Sequence, residues 1–430
     1  MKYLIIGGSA AGISAIEGIR TFDKTGEIIL VSDETYQLYS RCLLSYYLAG
    51  VISEEKLKFK EEDFFEKNKV KTFLGIKAEK VYPEEKYVLL SDGTKLNYDK
   101  LLIGTGGSAK LEEIPGKEKD GVFVLRKIDD AKKILSKLEQ TKRVIVLGGG
   151  LVGLRAAYAL KARNCDVSVI VKSQQILSQM LDFSSAKIIQ EHLEEKGIKF
   201  YLGLSAKEIV GNGNVKGVIL ENGQKIDCGI VIIGKGVSPN LDLIRGTNIK
   251  THWGIVVDEN LRTNIEDIYA AGDVAETVDL SSDQPDINAL WPCAVEQGRI
   301  AGINMAGGSE KYDGSLGMNS LEFYGLPVIS AGITRPKGAD FEELIKQDTK
   351  NKIYKKVVLR NNRIVGMILV QKIEKAGIFT TLIKKKVNVE SIRAKLLDET
   401  FDFAKIIPLI KEKKEIFKEK EYQDYIFTSK

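Results

Sequence analysis

Short apolar runs broken by glycine-rich turns organise the first half of the chain. Tyr3–Ile6 is one such run, compact enough for a buried parallel strand. Two glycines follow, and Ile13, Ile16 and Ile19 then recur at helical spacing. Ile28–Val31 supplies the next strand, with Asp33 and Glu34 just past its end. The same order returns later. KYLIIGGSAAGISAIEGIR with EIILVSDE is echoed by RVIVLGGGLVGLRAAYALK with DVSVIVKS, and Gly148 stands 141 residues after Gly7. A second pair repeats as well, KLLIGTGGSA at Lys100–Ala109 and GIVIIGKGVSPN at Gly229–Asn240. Two repeated elements in one order predict two similar βαβ-based units.

Each unit has a physical use. A strand, a glycine turn and a helix aim unpaired N–H groups and a positive dipole end at a pyrophosphate. In the first copy this cradle comprises Gly7, Ser9, Ala10, Ala11 and Gly12, with Ser9 replacing the middle glycine. In the second it comprises Gly148, Gly150, Leu151, Val152 and Gly153, with all three glycines kept. Asp33 lies 21 residues after Gly12, about where an acid binds a ribose hydroxyl, and Glu34 follows it. The pair predicts two dinucleotide sites; either copy alone is weak evidence.

Composition narrows the class. A chain of 430 residues, 43% hydrophobic and 29% charged, is a multi-domain globular protein. Its net charge of +5, from 64 basic and 59 acidic residues, is too slight for nucleic-acid binding, although it favours an acidic partner. No run approaches the ~18 apolar residues of a membrane helix. The opening residues superficially resemble a signal peptide. Their apolar run of about four residues before two glycines fits a strand and turn better, so a cytoplasmic protein is expected. Cys42, Cys165, Cys228 and Cys293 are widely spaced, with no CxxC, and there are only two histidines. No metal site and no local dithiol are expected.

Further on, Gly254–Glu276 reads as a strand, a loop and then Ile268–Ala271 leading into Gly272–Asp273. With the two copies above, residues 1 to about 305 resemble the two-dinucleotide-binding-domain flavoproteins of the pyridine-nucleotide–disulfide oxidoreductase superfamily. YSRxLLS, ALWPCAVEQGRIAGINMAG and YKKVVLRNNRIVGMILV most resemble the NADH:rubredoxin reductases and the flavin module of NAD(P)H nitrite reductases. The resemblance implies an α/β fold: two Rossmann-like domains, for FAD and NAD(P)H, and a C-terminal α+β interface domain, often used for dimers. The expected boundaries are 1–111 and 244–310 for FAD, 112–243 for NAD(P)H, and 311–430 for the interface domain. The Lys- and Glu-rich final stretch from Ile406 predicts a solvated helix.

The resemblance also implies roles. Asp273 would bond the flavin's ribityl chain and Arg41 would contact FAD, with further FAD contacts at Ala78, Thr105, Gly106 and Ala294. The helix over Ala294–Ile300 would turn its N-terminal end to the flavin. Gly236 would meet the pyridine nucleotide. GTGG and GKGVSPN look like paired crossings between domains. After the strand Val167–Val171 stands Lys172 where an acid would select NADH, so NADH and NADPH both stay open. Arg155 occupies a position, near the expected nicotinamide, where disulfide- and oxygen-reducing relatives carry glutamate.

Cys42 stands at what looks like the first turn of a helix, a place that lowers a thiol's pKa. Two activities are therefore open. One is an FAD-dependent NAD(P)H oxidoreductase serving a small acidic carrier, rubredoxin or ferredoxin, or another soluble acceptor. The other is a single-cysteine flavoprotein, an NADH oxidase, peroxidase or CoA-disulfide or persulfide reductase, turning over at Cys42. A non-enzymatic nucleotide-binding redox sensor is a third reading, opposed by the complete pair of cofactor units.

Overall fold

The computed structural model describes residues 1–36, 38–419 and 422. Its first sheet has five parallel strands, in the order Ile268–Ala270, Lys100–Ile103, Lys2–Ile6, Glu27–Ser32, Val70–Leu74. Successive side chains leave a strand on opposite faces, and here both faces are covered. Tyr3 and Ile5 pack with Ile13 and Ile16 of the helix Ala10–Phe22 and with Ile300 of the helix Trp291–Met305. Leu4 and Ile6 pack on the other side with Val81, Val88 and Leu90 of an antiparallel three-stranded sheet, Ala78–Tyr82, Tyr87–Leu90 and Lys95–Asn97. The two helices approach closely. A Cβ on Gly298 would stand 2.1 Å from the Ala11 carbonyl oxygen, so only glycine fits the contact.

The second sheet repeats this plan, with parallel strands ordered Lys199–Leu202, Asp166–Val171, Arg143–Leu147, Ile230–Ile233, Val122–Phe123. It too is backed by a three-stranded antiparallel sheet, Ala206–Val210, Gly217–Leu220 and Lys225–Asp227. The crossing segments pair with each other, Gly107–Ala109 running antiparallel to Val237–Pro239. Both parallel sheets belong to one compact unit, residues 1–174, 197–278 and 285–315.

Residues 175–196, 279–284 and 316–430 form the other unit. Its antiparallel sheet is ordered Met318–Phe323, Leu326–Gly332, Arg363–Val370, Ile353–Arg360, Phe341–Asp348, and Val357, Leu359, Met367 and Leu369 join a core with Phe379, Leu382 and Phe401. The helix Phe183–Glu195, which in sequence links two strands of the second parallel sheet, groups here. Asp182 caps it through the Ser185 N–H at 3.0 Å while accepting from Tyr354 at 2.6 Å and from the deeply buried Lys356 at 3.0 Å. The solvated helix expected from Ile406 onward is instead a short one, Ile407–Glu412, with Leu409, Ile410 and Phe417 buried. These apolar side chains are drawn into the core that the charge pattern ignored. Lys420, Glu421 and residues 423–430 of that stretch lie outside the described residues.

Candidate functional site

The first glycine turn is built by close approach. Gly7 has φ +115°, and a Cβ there would lie 2.0 Å from the Gly104 carbonyl oxygen. A Cβ on Gly12 would lie 1.9 Å from the Gly7 carbonyl oxygen. Neither Gly7 nor Gly12 therefore has room for a side chain, and the first N–H groups of the helix Ala10–Phe22 open directly onto the turn. Beyond it lies a pocket at the carboxyl ends of the parallel strands, the place where open α/β sheets bind their ligands.

Most residues singled out from the sequence meet there. Gly7, Ser9, Ala10, Ala11, Asp33 and Glu34 line one side; Arg41, Cys42, Thr105, Gly106, Asp273 and Ala294 line the rest. Gly12 shapes the turn from behind. Ala78 does not line the pocket; it begins the antiparallel strand Ala78–Tyr82 and packs on the apolar cluster around Val81 and Leu90. The helix expected from Ala294 starts one turn earlier, so Trp291 also faces the pocket.

Charges line this wall in pairs. Arg41 forms an ion pair with Glu34 and donates to the Arg126 carbonyl oxygen at 3.0 Å; Tyr39 donates to Glu34 at 2.5 Å. Burial alone would loosen Arg41's proton, but Tyr39 and Glu34 outweigh it and the guanidinium stays charged. Asp273 pairs with Arg126 at 2.7 Å, and Arg126 also donates to the Gly107 carbonyl oxygen at 3.0 Å. Lys127 holds Asp33 at 2.9 Å. Gln297, buried on the helix Trp291–Met305, accepts from the Gly272 N–H at 2.8 Å and so braces the turn that carries Asp273.

Arg126 escaped the sequence reading, and Tyr39, Trp291 and Gln297, though inside the quoted motifs, were given no role of their own. Arg126 lies in a linker with no periodicity. Its local signal is Asp130, which accepts from the Arg126 and Lys127 N–H groups at 2.9 and 2.8 Å and caps the following helix.

Cys42 needs a correction. It sits in a single 3₁₀ turn, Arg41–Leu43, ahead of the helix Leu44–Ala49, and not in the first turn of an α-helix. Its thiol is pushed up, not down. Crowding by protein is the main cause and the nearby Asp273 carboxylate adds to it, against opposing pulls from Ser40 and Arg126. The residue is nevertheless exposed, and it lines the pocket.

The second glycine turn mirrors the first. Gly148 has φ +122° and its Cβ would lie 2.3 Å from the Gly234 carbonyl oxygen; a Cβ on Gly153 would lie 2.0 Å from that of Gly148. Gly150 caps the helix Leu151–Ala162, which Leu151 and Val152 begin. Lys172 is exposed just past the strand Asp166–Val171, and Gly236 has φ +90° with open space around it. Arg155 donates to Ser45 and its guanidinium lies over the Tyr46 ring, 4.2 Å from the centroid.

A pyridine nucleotide-disulphide oxidoreductase family model matches residues 1–298. The chain belongs to this family. Within the oxidoreductase, residues 318–387 match the rubredoxin NAD+ reductase C-terminal domain. The NADH-dependent phenylglyoxylate dehydrogenase subunit epsilon of Aromatoleum evansii is 30% identical over 92% of this chain and 94% of that protein. Two solved structures are similar. An NAD-dependent persulfide reductase from A. fulgidus has TM-score 0.86 and 28% identity over 94% of this chain and 80% of that one. NADH:rubredoxin oxidoreductase from Clostridium acetobutylicum has TM-score 0.76 and 29% identity over 95% and 99%. The protein is thus a flavoprotein oxidoreductase that uses a pyridine nucleotide. Among the described residues no cluster of three or more His, Cys, Asp or Glu could hold a metal ion, and no helix is long and apolar enough to cross a membrane.

Proposed function

We propose that the oxidoreductase binds FAD in the pocket behind Gly7, takes hydride from NADH or NADPH held at the Gly148 turn, and delivers the electrons to a small acidic carrier of the rubredoxin or ferredoxin type. The observation that carries this reading is the pocket itself. One cleft joins a phosphate cradle of glycines and small side chains, acids at the end of the second strand, and the Asp273–Arg126 pair at the far side. The donor set fits a dinucleotide that is anionic at its centre and polar along its length.

Gly7–Ala11 would hold the pyrophosphate, Asp33 and Glu34 the ribose, and Asp273 the ribityl chain. Held there, FAD would supply the two-electron chemistry that links a reduced nicotinamide to the acceptor. The chain's own residues bind, orient and neutralise. The N-terminal end of the helix Trp291–Met305 places a positive dipole against the pocket, favouring an anion there. Arg41 and Arg126 hold the acids that would otherwise repel one another and any bound phosphate. The segments 1–111 and 244–310 form the FAD portion in this reading, 112–243 the NAD(P)H portion, and 311–430 the interface portion.

Two similar structures support different acceptors at the exit of the electron path. The rubredoxin oxidoreductase favours a protein carrier, and the persulfide reductase favours turnover at a thiol. Cys42 in the pocket wall is the observation behind the second reading; its raised pKa counts against it. Anaerobic reduction decides the first step: NADH or NADPH bleaches the yellow protein. Challenge with rubredoxin, ferredoxin and a persulfide, in wild type and Cys42→Ser, decides the second. Carrier reduction that survives the substitution supports the proposal; carrier reduction lost with the thiol sinks it.

A further inference from the structure

Two arginines from one helix grip the segment that follows the pocket wall. Arg155 lies one turn into the helix Leu151–Ala162, which begins at the second glycine cradle. Its Nε and Nη2 both donate to Ser45 Oγ, at 3.1 and 2.8 Å, beneath the stack on Tyr46. Arg163, just past the same helix, donates to the Leu48 carbonyl oxygen at 2.9 Å and fills the space above Gly50, where a Cβ would meet its guanidinium at 2.8 Å.

Ser45, Tyr46 and Leu48 belong to the helix Leu44–Ala49. That helix continues directly from the turn Arg41–Leu43, whose Arg41 and Cys42 line the pocket. Six residues are too few for a helix to persist unaided, so its place is set by whatever holds it. Double donation to a buried hydroxyl, plus a face-on contact with an aromatic ring, orients a planar guanidinium as a single ammonium could not. The start of one cradle is therefore tied to the wall of the other.

We propose that Arg155 is a positioning residue for hydride transfer: through Ser45 and Tyr46 it sets the Arg41–Cys42 wall against the N-terminal turn of the second nucleotide helix. The inference rests on the NAD(P)H-to-flavin reading above. Transfer between two bound rings is acutely sensitive to their separation, and a misplacement of about 1 Å can cost on the order of a hundredfold in rate. A residue that sets spacing without touching either ring should change the rate more than the affinity.

The test is Arg155→Met, with Arg155→Lys and Ser45→Ala beside it. In flavin-free Arg155→Met, amide hydrogen exchange over Leu44–Ala49 rises about tenfold as the grip is lost. In the flavin-loaded variant, anaerobic bleaching at saturating NADH or NADPH slows about tenfold, while the nucleotide Kd from calorimetry stays within about threefold of wild type. Arg155→Lys recovers only part of the rate. Ser45→Ala, which keeps the cation and its stack, slows bleaching about threefold and covers the case in which the methionine variant fails to fold. Wild-type bleaching in both Arg155→Met and Ser45→Ala overturns the inference, and so does a loss confined to nucleotide affinity. If wild type itself is bleached by neither nucleotide, the hydride reading has failed first, and that result is told apart by the unsubstituted protein alone.

Discussion

The two glycine turns use the same contacts but open onto different surroundings. In each, the first glycine takes a positive φ against a carbonyl of the neighbouring strand, and the third presses on the first. The middle position differs. Ser9 has φ −106° and Gly150 φ −80°, both ordinary for any L-residue, and a Cβ at Gly150 would meet nothing within 4 Å. The serine is tolerated because that position never needed glycine's freedom. The larger contrast is in the walls. The first turn faces a pocket ringed by paired charges and has the acid Asp33 just past its next strand, whereas the second has the base Lys172 there. Duplication kept the cradle, while the walls diverged.

The largest expected effect comes from filling either close approach. Gly7→Ala and Gly148→Ala should each destabilise the fold by about 3 kcal/mol or more, since strain and a backbone clash combine. Gly7→Ala should purify colourless; Gly148→Ala should stay yellow but resist bleaching by either nucleotide. Absorbance and thermal unfolding read both, and a yellow Gly7→Ala would erase the assigned division of labour.

Breaking the wall of the first pocket comes next. Asp273→Ala should weaken FAD binding by roughly thirtyfold, about 2 kcal/mol, because a charged hydrogen-bonding group is lost and Arg126 is left without it. Fluorescence titration of flavin-free protein measures this. For the second cradle, Lys172→Glu should move the NADPH-to-NADH ratio of kcat/KM towards NADH by about tenfold. An unmoved ratio would make Lys172 a bystander.

The pH dependence of Cys42 separates the two acceptor readings. Its thiol is raised above the ordinary value by burial, so the neutral form persists through neutral pH and the thiolate appears only above the usual thiol range. Alkylation followed by mass spectrometry should show a rate that is low at pH 7 and still rising at pH 9. Fast reaction at pH 7 would revive the thiol mechanism. The smallest effect belongs to Gly150→Ala, within about 0.5–1 kcal/mol of wild type in stability, with full flavin content.

What could be read from the sequence was local. Strand, turn and helix around Gly7 and Gly148 lie within short windows, so their spacing alone exposed both cradles. The two antiparallel sheets behind the parallel ones escaped notice, because Ala78–Tyr82 and Ala206–Val210 carry exposed charges that blur their alternation. Ala78 illustrates the limit of transfer by position, since it packs on the core and not in the pocket. Cys42 illustrates a subtler one. A helix start was visible, but a 3₁₀ turn and the crowding around the thiol were not.

By itself the sequence determined that there are two nucleotide cradles, their order, and their family, because glycine spacing is dictated by backbone sterics within one strand–turn–helix. Only the tertiary structure decided that Arg126 meets Asp273 and that Arg155 grips Ser45, partners 147 and 110 residues apart. Such pairings depend on how sheets and helices stack, and no short-range pattern encodes that.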